Sequence, residues 1–583
     1  MIQDIYDPLT EYDRTFRSRF WEIAEQTFDE LAKEGQVDVN ANQLTCKKKE
    51  HEEGILKTVK SHLARWNFLC YTAWIVAVIG LFMIAFQYSS WPVWLSIIVG
   101  IIAVAVIVLM IWKVHPKIKA LKGDSSSLEI NIAKLEQEAW DQMKALNELY
   151  DWDVLSRMMC KTVPRLEFDP YFTEQRLADL QNTYHWDDSF NKERSVVYSH
   201  SGLINGNPFV ICRTKKMNMG ERTYTGSLTI HWTTIEHDSD GNSYTKDHSE
   251  TLRAEVTAPY PEYYEKTRVF YGNTAAPDLI FHRHKSGLAG NEKSLAYKWE
   301  RRDLRKKSQD LKNSDYAMMT NEEFEVLFNT SDRNNNQQFA LLFTPLAQES
   351  MLALLRDDKI GYGDDFDFSK QKMINVIIPD HLQDINIDLN PSQFIHYDYR
   401  KAKENFVVTN AKYFRAIYFA LAPLLCVPAY QQIRPQEAIY GRDMQKHSSF
   451  WEHEALANFW GKDHFKHPDC VTDCILKTDL FSHDNDEVSV IVYAYGYRVV
   501  KRTTYIQKYG GDGNYHNVPV NWDEYIPVTG VGQLDMKEDN AFEDKQNTTQ
   551  KQRLQHIREL TNSFGADIYR RHITSKVTSI QTD

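Results

Sequence analysis

Four residues are spaced as metal ligands are: His464, His467, Cys470 and Cys474, in the pattern H-x2-H-x2-C-x3-C, with His453 upstream. Two imidazoles and two thiolates suit tetrahedral zinc, and a closed four-ligand set would be structural rather than catalytic. The spacing is tighter than in zinc fingers, where a long loop separates two ligand pairs, and Pro468 interrupts any helix across the set. The competing reading is histidines and cysteines packed in an ordinary loop. The loop reading is the favoured one, so no cofactor is expected, with zinc as the alternative.

Other chemistry is missing from the pattern. No phosphate-binding GxxxxGK[ST], GxSxG elbow, HExxH or strand-following GxGxxG occurs. Asp238 and Asp240 suggest calcium, but Gly241 comes too early for an EF-hand loop and no glutamate closes the cage. Asp512, within Gly510-Gly511-Asp512-Gly513, is explained by turn geometry. No catalytic residue is assigned, and the chain is expected to be non-enzymatic. Arg301, Arg302, Arg305, Lys306 and Lys307 crowd an expected helical insertion near 285–315. They could meet anionic lipid or RNA, or form a solvated helix face. A formal net charge of -12 argues against a general nucleic-acid binder.

The element that must position everything else is residues 67–114. Two apolar runs, Asn67–Phe86 and Trp91–Trp112, flank the break Gln87-Tyr88-Ser89-Ser90, and no charge intervenes between Arg65 and Lys113. A helix of about 20 apolar residues crosses roughly 30 Å of hydrocarbon, so a two-span transmembrane hairpin is expected. Lys57, Lys60 and Arg65 precede it and Lys113, Lys117, Lys119 and Lys122 follow. Positive flanks stay on the cytoplasmic side, which places both termini in the cytoplasm. The acidic start of the chain lacks the apolar core of a cleaved signal peptide. Seven scattered cysteines predict no disulfide framework.

Around the hairpin, residues 1–66 and 115–164 read as a helical stalk. Phe16, Phe20, Ile23, Thr27 and Leu31 share a face, and Leu128, Ile132, Leu135, Ala139, Met143 and Leu146 repeat at helical spacing after a Ser126/Glu129 capping box. The same stripe could instead join two copies of the chain. Residues 165–400 read as an α+β domain. Hairpins are expected at Ser195–Leu203/Phe209–Arg213, across Asn205-Gly206, and at Tyr224–Glu236/Tyr244–Ala258. Phe324–Phe328, Phe339–Phe343 and Met373–Ile378 are expected as strands, and Thr344-Pro345 opens a helix. Residues 401–535 form a second α+β domain. Its charge-free Ala416–Tyr430 reads as a buried or membrane-apposed helix rather than a third span, being short and broken by Pro423 and Pro428. Strands follow at Val488–Val499, Arg502–Lys508 and Val518–Val528. Residues 536–583 read as a polar linker and a helix over 549–572. The fold class is an α+β membrane protein: a transmembrane helical hairpin, a helical stalk and cytoplasmic antiparallel-sheet domains.

This order of elements, with "SGLINGNPFVI", "FEVLFNTSDRNNNQQFALLFTPLAQESMLALL" and "MINVIIPD", resembles an uncharacterised bacterial family of two-span membrane proteins over roughly residues 60–395. The resemblance implies the bacterial inner membrane and a LemA-like membrane protein as partner, and transfers no catalytic residue. The expected role is a membrane-anchored cytoplasmic scaffold that binds a protein or its own copy. The alternatives are a zinc-containing sensor or enzyme built on the C-terminal domain, and a lipid- or RNA-surface binder.

Overall fold

A computed structural model describes residues 5–85, 93–169, 171–237, 242–310, 316–385, 389–435, 447–484, 487–538 and 575–582. The Asp238/Asp240 turn, the break at 87–90 and the helix expected over 549–572 lie outside them. Contacts divide the chain into two compact units. One comprises Met1–Ala24, Asp151–Asn390 and Asn410–Asp583; the other comprises Glu25–Tyr150 and Pro391–Thr409. Residues expected as separate domains, 165–400 and 401–535, thus fall mostly in one unit, and the first 24 residues join it.

The smaller unit is helical. Val39–Ala85 is one helix of 47 residues. Val93–Leu109, a π-helical turn Met110–Val114 and His115–Asn147 follow without a break. The Ser126/Glu129 pattern therefore caps nothing. Ser125 merely hydrogen-bonds Glu129 at 3.4 Å inside the helix. The apolar stripe there has a partner along its length, and packing overrides the local start signal. Met110, Val114 and Ile118 pack against Leu63, Trp66 and Ala73. Deeper in the unit, buried Lys49 reaches Glu53, Glu136 and the Tyr397 hydroxyl at 3.3, 3.2 and 2.8 Å. Among the described residues one helix, Gly100–Asn147, is long and apolar enough to cross a membrane.

The larger unit is built on two antiparallel sheets. The first contains β1 (Leu166–Phe168), β2 (Arg194–Ile204), β3 (Asn207–His237), β4 (Ser243–Gly272), β5 (Ile280–Arg283), β6 (Phe366–Gln371) and β7 (Ile374–Pro379), in the order β1-β2-β3-β4-β7-β6-β5. The second contains β8 (Ile475–Asp484), β9 (Glu487–Tyr509), β10 (Tyr515–Glu538) and β11 (Ser575–Thr582), in the order β11-β10-β9-β8. The Asn205-Gly206 turn forms as expected, both residues at positive φ (52° and 80°). The two hairpins expected from 195 to 258 are not separate, because β3 runs unbroken for 31 residues and pairs β4 from Phe209 to His237. At roughly 3.3 Å per residue that ribbon extends about 100 Å. Likewise β9 joins the two strands expected at 488–499 and 502–508.

The ribbons outrun their neighbouring strands and pack on each other. Ile230, Leu252, Ala254, Val518 and Val520 form a small core between them, with Tyr224, Trp232 and Ile506 at its edge. A Cβ at Gly226 would stand 2.1 Å from the Pro519 carbonyl, so glycine is what lets the two backbones approach.

Helices fill the rest of this unit. Phe324–Phe328 and Phe339–Leu342, expected within strands, lie instead in helices Glu322–Phe328 and Asn336–Leu342, and Phe343 ends the second. Asn321 and Asn335 cap their first turns, and three glutamates favour the positive end of the first helix. Apolar runs of five residues cannot distinguish the two periods. Thr344 caps Pro345–Arg356, as its sequence predicts. Ala416–Tyr430 lies in helices Tyr399–Leu425 and Pro428–Gln432, buried within protein. Phe414 stacks on Phe20 at 4.2 Å, and the Tyr418 hydroxyl donates to the Pro8 carbonyl at 2.8 Å.

Candidate functional site: a cleft between the ribbons over a cysteine pair

The segment from Gly461 to Cys474 carries the expected ligands. It leaves helix Phe450–Trp460 through a 3-10 turn, Lys462–His464, and a second turn in which the Cys470 amide donates to the His467 carbonyl at 2.9 Å. The structure brings the two thiols together and leaves the imidazoles out. Cys470 Sγ and Cys474 Sγ are 3.6 Å apart. His464 meets the Trp460 ring edge-on at 5.8 Å, and His467 Nδ1 accepts the Asp469 amide at 3.1 Å. His453 is buried against Ser448 at 3.0 Å. Among the described residues, no three of His, Cys, Asp and Glu gather where they could hold a metal ion.

The thiols meet where the chain enters β8, the edge strand of the second sheet. The Val471 amide donates to the Tyr497 carbonyl at 3.0 Å, and regular pairing resumes at Ile475 opposite Tyr495. Between these two points Thr472 accepts the Tyr497 amide at 3.0 Å, and Asp473 and Cys474 complete a short loop ahead of β8. Cys470 and Cys474 form the neck of that loop and join the apolar core of the second sheet with Leu476, Val490 and Val492. A Cβ at Gly496 would lie 2.4 Å from Cys470 Sγ and 3.0 Å from Cys474 Sγ, so glycine creates the space the sulfurs occupy.

Above the neck, Val471, Thr472 and Asp473 line a cleft of about 530 Å³ together with Tyr260–Tyr263 of β4 and Tyr525 of β10. Tyr263 and Thr472 share a 3.1 Å hydroxyl contact, and Tyr260 meets Tyr525 edge-on at 5.3 Å. The Arg222 guanidinium stands 5.0 Å from the centre of the Tyr260 ring. Asp473 holds Lys215 at 3.0 Å and Lys462 at 3.3 Å. Burial would raise its carboxyl, but the Lys215 hydrogen bond and charge, the Cys474 amide and Lys462 hold it below the ordinary value. Burial pushes the Tyr263 phenol up. Burial, and then the adjacent Cys470, push the Cys474 thiol up to about 12. An ion-paired carboxylate and protonated phenols suit binding better than proton transfer. Interior strand glycines signal close backbone approach, and Gly496 was the one clue in the sequence to the neck.

A second concentration of unusual chemistry had no local signal. Lys370 on β6 is fully buried. Across the sheet it sits in line with Asn375 of β7, Tyr271 of β4 and Phe209 of β3. Tyr430 closes over this row. Its hydroxyl donates to Asn375, and its carbonyl accepts from Tyr271 at 3.2 Å and Asn273 at 3.3 Å. The Lys370 amine lies 5.6 Å from the centre of the Tyr430 ring and finds no hydrogen-bond partner among the described residues. Burial pushes it down to about 7.

The basic helix, Leu295–Gln309, is largely compensated within its own unit. Arg301 and Arg305 donate to Glu322 at 2.6 and 2.7 Å, Lys306 pairs with Asp303 at 3.8 Å, and Lys307 donates to the Ser331 carbonyl at 2.7 Å.

Comparison of the chain with protein-family models, with curated proteins and with solved structures finds no match.

Proposed function

We propose that this chain is a membrane-anchored scaffold: a two-span hairpin holds it in a bacterial inner membrane, and the paired ribbons on the cytoplasmic side bind a protein partner or a second copy. The observation that carries this reading is the form of the ribbons. They are far longer than the roughly 3–10 residues usual for strands. They are braced against each other by their own core and, among the described residues, present long unpaired edges, which are templates for strand addition. At the outer end of the second ribbon Tyr505, Tyr509 and Tyr515 are 65, 62 and 71% exposed, and aromatic residues with polar tips favour protein interfaces. Sidedness rests on the lysines that flank both apolar runs. The LemA-like protein implied by the family resemblance is the first partner to look for. Salt bridges along the basic helix weigh against a lipid- or RNA-binding role for it.

The test is purification of the full chain from membranes in mild detergent, beside a Tyr505→Ser, Tyr509→Ser, Tyr515→Ser variant. A stoichiometric partner or oligomer that the variant loses, at unchanged melting temperature, supports the reading. A monomer without partner refutes it.

A further inference from the structure

We propose that Cys470 and Cys474 are a thiol–disulfide switch: small-molecule disulfides oxidise the pair to an intramolecular disulfide that locks the neck of the Val471–Asp473 loop and so resets the cleft. Three observations meet at this point. The sulfurs are already 3.6 Å apart, in one apolar core, with Gly496 clearing the space between strand and thiols. The residues they enclose are the loop side of the cleft. Those same residues hold their surroundings: Thr472 accepts the Tyr497 amide at 3.0 Å and contacts Tyr263, while Asp473 binds Lys215 and Lys462. Forming the bond brings the sulfurs to roughly 2 Å, a contraction of the neck that its enclosed residues must accommodate.

The exchange balances. The Cys470 thiolate attacks one sulfur of a disulfide RSSR; the S–S bond breaks, and one RS⁻ leaves and takes a proton. Cys474, as thiolate, attacks the Cys470 sulfur and expels the second RS⁻, which is protonated in turn. Two protein thiols are oxidised, one small disulfide is reduced, and two RSH are released. The order follows from exposure. Cys470 is 7% exposed and Cys474 1%, so the outer thiol meets the oxidant and the inner one resolves the mixed disulfide.

Full-length protein in detergent is equilibrated with glutathione and glutathione disulfide over a range of ratios, quenched with an alkylating agent and mapped by peptide mass spectrometry. Cys470 and Cys474 are expected to lose alkylation together. The peptide carrying both should become lighter by two hydrogen atoms, reversibly with dithiothreitol. Amide exchange at Val471 and Tyr497 should slow in the oxidised form. Cys470→Ser should leave Cys474 reduced throughout. Alkylation unchanged at every ratio would overturn the proposal. So would a mixed disulfide with glutathione that persists at Cys470, or isolated protein in which zinc shields both thiols.

Discussion

Replacing Lys370 by methionine should stabilise this protein, and the size of the effect should depend on pH in a defined direction. Methionine keeps an unbranched stem among Phe281, Asn375 and Tyr430 and removes an amine that no described group satisfies. Burial has lowered that amine from its ordinary value of 10.5 to about 7. In the unfolded chain the lysine holds its proton up to the ordinary value; in the fold it gives the proton up near neutrality. Below about pH 7 both states are charged and the whole penalty is present. Between the two values the unfolded state binds one proton more, so stability rises with pH. Above the ordinary value both are neutral and the penalty is gone. At about 1.4 kcal/mol per pH unit, the gap bounds the penalty at about 5 kcal/mol. Relaxation around the amine reduces it, so a gain of about 2–5 kcal/mol is expected for Lys370→Met at pH 7. Melting of the full chain in detergent, followed by tryptophan fluorescence, should rise by roughly 2–10 °C. The advantage over wild type should shrink as pH is raised from about 7 to about 10. An advantage that does not vary with pH, or a variant less stable at neutrality, would refute the idea of a neutral, unsatisfied amine.

Two further outcomes test the packing. Arg333 grips buried Glu325 with two hydrogen bonds of 2.7 and 2.9 Å, and Glu325 also accepts from the Tyr316 hydroxyl and the Met319 amide, so Arg333→Met leaves a buried carboxylate without its counter-charge and should cost about 3–5 kcal/mol. The double change with Glu325→Leu should recover most of that in the same melting assay, and equal losses for both would contradict the pairing. Gly226→Ala places a methyl group against the Pro519 carbonyl; a loss of about 1–3 kcal/mol is expected, with faster amide exchange confined to the stacked parts of the two ribbons. Unchanged exchange there would mean that the ribbons do not pack through this point.

Residues that act through near neighbours in the chain were legible. The Asn205-Gly206 turn, the Thr344-Pro345 helix start, the long helix entering the first apolar run and the glycine turn after Tyr509 each follow from local backbone preference or from the period of apolar residues. Phe324–Phe328 and Phe339–Phe343 were not legible, because five apolar residues fit a buried strand or a buried helix, and the asparagine caps settle the choice.

Four ligand-type residues within eleven positions looked like one site, yet only two sulfurs meet. What unites them is a short loop ahead of β8 packed against Gly496 of β9, a contact that only the folded sheet provides. The burial of Lys370 likewise needs Tyr430, sixty residues away, to close over it. Stacking of the ribbons needs Pro519 to find Gly226 across nearly three hundred residues. The sequence alone determined the Asn205-Gly206 turn, the Thr344 cap and the apolar runs, since these depend on neighbours a few bonds apart. Tertiary structure decided which thiols pair, which amine loses water and which strands continue, since each of those is set by atoms that only folding brings within reach.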